Sequence, residues 1–167
     1  MIRPALLLVL FAAAGLHAEI RCPAIFGDHM VLQRDQPVVV WGSGNAGETV
    51  TVTFAGQSTE TTTDTTGHWR VTLSPLRANA EPRTLTVQGR NTLTFNDVLV
   101  GEVWFCSGQS NMEKPLGPRS GQKPTDNYEA ELKRADCPTL RLFQVPQSSK
   151  PKPNDGSLAW AACTGDV

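Results

Sequence analysis

Residues 48–54 read Glu48-Thr49-Val50-Thr51-Val52-Thr53-Phe54. Polar and apolar side chains alternate at every step, so Val50, Val52 and Phe54 share one face and the threonines the other. A period of two is that of a strand with one buried face. The same pattern repeats outward in both directions. Downstream, Ala55-Gly56-Gln57 turns the chain, and residues 58–63 form a polar strand of edge type. Asp64-Thr65-Thr66-Gly67 is the next turn, after which Trp69, Val71 and Leu73 fall on one face. Arg83-Thr84-Leu85-Thr86-Val87 alternates again, and Gln88-Gly89-Arg90-Asn91 turns into Leu93 and Phe95. Upstream, Pro37-Val38-Val39-Val40-Trp41 runs into the turn cluster Gly42-Ser43-Gly44-Asn45. Of 17 threonines, 14 lie between Thr49 and Thr94, and threonine suits a pleated, half-solvated surface. The spacing predicts a small antiparallel β-sandwich over residues 19–96. Its expected core is Trp41, Val50, Val52, Trp69, Val71 and Leu85.

The character changes near Asp97. Val98-Leu99-Val100-Gly101-Glu102-Val103-Trp104-Phe105-Cys106 is almost continuously apolar. A strand buried on both faces reads this way, and such strands belong to the parallel sheets of α/β domains. It leads into Ser107-Gly108-Gln109-Ser110-Asn111-Met112, then a loop marked by Pro115, Gly117, Pro118, Gly121 and Pro124. Residues 127–135 predict a short surface helix, with Glu129 and Lys133 four apart. Residues 139–145 predict a second strand, and 147–157 a surface loop rich in Pro, Lys and Ser. Two strands do not complete a doubly wound sheet. Residues 97–167 are therefore expected to be the unfinished start of an α/β domain, and the chain a fragment or an early-terminated reading frame.

Composition excludes several function classes. The 167 residues carry 15 Lys+Arg against 16 Asp+Glu, a formal net charge of −1. That balance argues against a nucleic-acid binder, whose phosphate affinity comes from clustered cations. Residues 5–16 form an uncharged apolar run after the short positive start Met1-Ile2-Arg3-Pro4. This run is too short for a bilayer, which needs roughly 20 residues. It reads as a secretory signal peptide over residues 1–18, cut after Ala18. The mature chain is expected outside the cytoplasm, secreted or periplasmic, with no membrane insertion. Its oligomeric state is open.

The cysteines are Cys22, Cys106, Cys137 and Cys163. No C-x-x-C spacing occurs, so no zinc site or redox motif is expected. Cys106 reads as a small buried hydrophobe. A Cys137–Cys163 bridge is one possible pairing. No metal or other cofactor is expected, because Asp28-His29 is a lone adjacent pair. Gly42-Ser43-Gly44-Asn45-Ala46-Gly47 has G-x-G-x-x-G spacing but leads into a Thr/Val strand, which defeats a nucleotide reading.

On residue type alone, Ser110 is an ordinary turn residue. A hydroxyl just past a buried parallel strand nevertheless sits where α/β folds place ligands. It becomes a nucleophile only when a base takes its proton. Gly108-Gln109-Ser110-Asn111-Met112, led by Gly101-Glu102-Val103-Trp104-Phe105-Cys106-Ser107, closely resembles the signature of the sialate O-acetylesterase family of SGNH-type esterases. The likeness extends to Phe26-Gly27-Asp28-His29-Met30-Val31-Leu32-Gln33-Arg34, Pro37, Val40-Trp41-Gly42, Gly67-His68-Trp69 and Asp97-Val98-Leu99-Val100-Gly101, covering about residues 24–116. Met112 stands where a G-x-S-x-G elbow would have its last glycine.

The resemblance implies an extracellular carboxylic ester hydrolase that removes acetyl groups from sugar hydroxyls, typically of O-acetylated sialic acids. It implies a β-sandwich attached to a flavodoxin-like three-layer SGNH hydrolase domain. It makes Ser110 the catalytic nucleophile, with its backbone N–H an oxyanion donor. Gly108, Gln109 and Asn111 then shape the loop, and Ser107 is structural. The family's base lies in an Asp-x-x-His pattern, which this sequence lacks. His29 reads as a surface or capping residue and His68 as a sandwich residue. The 167 residues are therefore expected to be inactive alone. Two alternatives stay open: a non-catalytic carbohydrate-binding β-sandwich module, with Trp41, Trp69 or Trp160 stacking on a sugar, and a structural domain of immunoglobulin type.

Overall fold

The computed structural model describes residues 19–145 and 158–164. The leader expected over 1–18 and the loop expected over 147–157 lie outside the described residues. The described chain is mostly β. Strands β1 (Val31–Gln33), β2 (Val38–Ser43), β3 (Thr49–Phe54), β4 (Gln57–Thr62), β5 (His68–Leu73), β6 (Asn79–Gln88) and β7 (Thr92–Gly101) come first. A 3₁₀ turn (Ser110–Glu113), helix α1 (Tyr128–Arg134) and strands β8 (Cys137–Phe143) and β9 (Trp160–Cys163) follow.

One sheet has the order β1-β7-β6-β3-β4, and β2 pairs with β5 in a second. All pairings are antiparallel except that of β1 with β7. The alternation read from sequence becomes alternation of burial: in β3, Val50, Val52 and Phe54 are buried. In β5, Trp69, Val71 and Leu73 are buried. They meet Val38, Val40, Leu85, Val87, Val98 and Val100 in one core shared by both sheets, joined by Ile20, Met30 and Leu32. Each such side chain adds roughly 1.5–3 kcal/mol. The polar strand β4 lies at the sheet edge, as expected. Its Gln57 ties it to the end of β5, accepting the Ser74 N–H at 2.8 Å and donating to the Ser74 carbonyl at 3.2 Å.

The turns follow from their residues. Ala55 and Gly56 both have positive φ, 51° and 79°, which a two-residue hairpin of matching twist requires. Glu48 is a buried carboxylate that accepts the N–H groups of Asn45 at 3.1 Å and Arg90 at 2.7 Å. Burial opposes its charge, but those N–H donors outweigh burial and hold its pKa below the ordinary value. It thereby links the turn after β2 to the turn after β6.

Two expectations change. Trp41 is 43% exposed rather than buried. Its strand β2 points Val38, Val40 and Gly42 inward, so the tryptophan between Val40 and Gly42 points out. Gly42 faces Trp69 across the β2–β5 ladder, and a Cβ there would sit 2.7 Å from the Trp69 ring. The buried tryptophan occupies the space that the glycine leaves. The continuous strand expected over 98–106 ends at Gly101. Val98 and Val100 lie in the core shared by the two sheets, and Leu99 between them is buried as well. Beyond Gly101 the chain leaves the ladder, and Trp104 and Phe105 are 81% and 94% exposed. Cys106, expected buried, is exposed with them.

The composition change at Asp97 falls inside β7. Helix α1 forms within the expected 127–135 window. The second strand forms two residues earlier than expected, as β8, and pairs antiparallel with β9, which the sequence reading did not mark. Among the described residues, no helix is long and apolar enough to cross a membrane.

Candidate functional site: the Ser110 loop and its anchor

The Ser110 loop leaves the sheet at the end of β7, and residues from the far end of the sequence hold that exit. The Gln33 side chain accepts the Val103 N–H at 2.9 Å and donates to Glu102 at 3.1 Å. The Arg34 N–H reaches the Gly101 carbonyl at 2.9 Å. The β1–β7 pairing is thus carried past its last rung by a side chain. At the other end of β1, Asp28 accepts the Asn96 N–H at 2.6 Å, and the His29 N–H donates to the Asn96 carbonyl at 3.0 Å. The segments 26–34 and 97–105, noted separately in the sequence, are one fastening in space.

Asn96 and Asp97 form a bulge. Arg83 faces Val98 and Leu85 faces Phe95, so two residues of β7 oppose Thr84 alone. Asp97 takes a positive φ of 54°, which re-aims its side chain out of the strand alternation. It meets His29 Nδ1 at 2.5 Å and both terminal nitrogens of Arg141 from β8. Hydrogen bonding from the Arg141 guanidinium holds the Asp97 carboxyl below the usual range. His29 adds to this, against the opposing effect of burial. The Arg141 side chain is only 6% exposed. The loop carrying Ser110 is therefore pinned on both sides, at Gly101 and at Arg141. The sequence reading missed this cluster, since no local pattern joins positions 29, 97 and 141.

Ser110 opens the 3₁₀ turn, with Gln109 extended at its N-cap and the Met112 N–H on the Gln109 carbonyl at 2.9 Å. The Asn111 carbonyl accepts the Lys114 N–H at 3.4 Å. A Cβ on Gly108 would lie 2.5 Å from Met112 Cγ, so glycine lets the loop fold onto Met112. Gly108, Gln109, Ser110 and Asn111 are all exposed, as is Ser107. Backbone geometry thus brings the four predicted loop residues together and presents the serine to solvent. No base accompanies it among the described residues. The His29 ring is engaged with Asp97 and Arg141, and no hydrogen bond joins either histidine ring to Ser110 among the described residues.

The groove of about 230 Å³ lies elsewhere, between the 25–33 segment and β2, lined by Phe26, Val39, Trp41, Val103 and Trp160 among others. Phe26 braces Trp41 edge-on at 4.7 Å. The Trp160 indole N–H donates to the Ile25 carbonyl at 2.8 Å, and its ring lies against Phe143.

Comparison with known proteins places this geometry. The rat sialate O-acetylesterase is 38% identical over 119 residues, 65% of this chain. The human sialate O-acetylesterase is 36% identical over 117 residues, 64% of the chain. Part of this chain is similar in sequence to the sialate O-acetylesterases. The chain spans only 22% of the length of either sialate O-acetylesterase. A crystal structure of a carbohydrate acetylesterase from Xanthomonas citri matches with a TM-score of 0.77 and 36% identity, over 89% of this chain and 33% of that one. No family model matches the chain. The likeness to sialate O-acetylesterases and to the solved acetylesterase is thus one of sequence and of fold, over part of each relative.

Proposed function

We propose that the chain is part of a secreted carbohydrate O-acetylesterase acting on O-acetylated sugars, O-acetylated sialic acids first among them, with Ser110 as the nucleophile. One observation carries the reading: the segment that presents Ser110 is fastened by Asp28, His29, Gln33 and Arg34, in a chain 36–38% identical to sialate O-acetylesterases over about two thirds of its length. In this reading the strands through β7 are a β-sandwich, and residues from 97 onward begin a three-layer SGNH domain. The Ser110 Oγ attacks the acetyl carbonyl, and its backbone N–H with neighbouring donors steadies the oxyanion. One such donor is typically worth roughly 3–4 kcal/mol.

The nucleophile needs a base, whose help amounts to roughly 10²–10⁴-fold. None of the described residues supplies it, so residues 1–167 alone are expected to be inactive. The purified chain should release no acetate from O-acetylated sialic acid above a Ser110→Ala control. Intact mass of the native product, traced by a peptide covering 108–114, decides whether a longer chain carries the site. A longer product whose acetate release survives Ser110→Ala would overturn the assignment.

A second reading, a non-catalytic carbohydrate-binding module, is favoured by the exposed Trp41 and by Trp160, both on the apolar groove. Glycan quenching of tryptophan fluorescence, abolished in Trp41→Ala, would support it. Buried Trp69 takes no part.

A further inference from the structure

We propose that Cys137 and Cys163 are the two halves of a cross-strand disulfide that closes β9 onto β8. The two residues are direct partners in the antiparallel β8–β9 register. Opposed residues of an antiparallel pair have Cα atoms about 4.5–5.5 Å apart, inside the range of about 4.4–6.8 Å that a disulfide spans.

The local ladder gives the bond something to do. The next pair is Arg141 with Ala162, so residues 138–140 bulge out between one rung and the next. Pro138 has no N–H to donate there. The Cys137–Cys163 rung is thus separated from the regular pairing at 141–143. Its far strand carries Trp160, whose indole N–H reaches Ile25. Covalent closure would keep that contact in place.

The thiols differ in access. Cys137 is exposed and Cys163 half-buried, its S–H donating to the Ala135 carbonyl at 3.5 Å. Burial pushes the Cys22 thiol up to about 12, which leaves it a poor competitor. Cys106 is exposed on the Ser110 loop. With glutathione disulfide as oxidant, the Cys137 thiolate attacks one of its sulfurs and releases one glutathione thiolate. The Cys163 thiolate then attacks Cys137 sulfur in the mixed disulfide and releases the second. Two cysteine thiols lose two electrons and two protons, and one glutathione disulfide becomes two glutathione thiols.

Trypsin places the four cysteines on separate peptides, cutting after Arg21, Arg34, Arg90, Arg119, Arg134 and Arg141. The purified folded chain is equilibrated with glutathione disulfide, alkylated with iodoacetamide in denaturant, digested and mapped by mass without reductant. The expected product joins peptide 135–141 to the peptide beginning at Leu142, with loss of alkylation at both cysteines and its return after reduction. Carbamidomethyl or glutathionyl adducts on Cys137 and Cys163 without the cross-link would overturn the proposal, as would a link from either to Cys22 or Cys106. In Cys137→Ser, Cys163 should become alkylatable. The wild-type map stands alone if that variant does not fold. The inference holds whether or not the chain hydrolyses esters.

Discussion

Arg141 grips Asp97 through both terminal nitrogens of its guanidinium, Nη2 to Oδ1 at 3.0 Å and Nη1 to Oδ2 at 2.5 Å. The pair joins β8 to the β7 bulge across 44 positions of sequence. A fork on a carboxylate fixes angle as well as distance. It sets where β8 returns after the Ser110 loop.

Removing the fork should cost more than an ordinary surface ion pair. Arg141 is 6% exposed and Asp97 27%, so water reaches the carboxylate but hardly the guanidinium. Arg141→Gln is expected to destabilise the fold by about 2–3 kcal/mol, below the cost of breaking a fully buried pair. Arg141→Lys keeps the charge without the bidentate geometry and should recover only part of the loss. Urea denaturation midpoints at constant slope measure both. Equal stability of all three proteins would show that the fork carries no structural load.

The same contact predicts an acid limb. The Arg141 guanidinium holds the folded Asp97 carboxyl below its ordinary range. Its contribution is therefore complete above the unfolded carboxylate value and fades as pH falls through the folded one. Stability should decline below about pH 4. Glu48 and Asp64, whose pKa values are also depressed, share the decline. Asp97→Asn should be less stable at pH 7 and should lose less than wild type between pH 5 and pH 2.5. Thermal melts across that range test it; parallel curves would remove Asp97 from the acid response.

Two glycines separate a packing requirement from a dispensable position. A Cβ on Gly42 would lie 2.0 Å from the Arg21 carbonyl oxygen and 2.7 Å from the Trp69 ring. Gly42→Ala should cost about 3 kcal/mol or more, the upper end for overpacking. A Cβ on Gly27 would meet only the Ala24 carbonyl, at 3.8 Å. Gly27→Ala should change stability by under about 0.5 kcal/mol. Denaturant midpoints of the two variants check this, and similar losses would mean that contact at Gly42 relaxes.

Much of the first half of the fold was legible because each strand there has one wet face. Val50, Val52 and Phe54 alternate with threonines, and Trp69, Val71 and Leu73 alternate with Arg70 and Thr72. The same logic failed where partner strands decide burial. Val98 and Val100 join the core and Leu99 between them is buried too, so their apolar run carried no period. With three residues, β1 was too short to leave one either. The Ser110 loop was legible as a motif, through Gly108, Gln109, Ser110 and Asn111. Its anchor was not, because His29, Asp97 and Arg141 become neighbours only through strand pairing.

The sequence by itself determined the β character, the turn positions, the polar edge strand and the loop that carries Ser110. Each of these rests on side chains within a few residues of one another, whose spacing and backbone preferences act locally. Only the tertiary structure decided that Trp41 points to solvent while Trp69 fills the space above Gly42, that Phe105 and Cys106 leave the sheet, and that Arg141 closes on Asp97. Those outcomes depend on register and on which strand lies alongside. A shift of one residue turns a side chain from core to water, and nothing within a single strand fixes that shift.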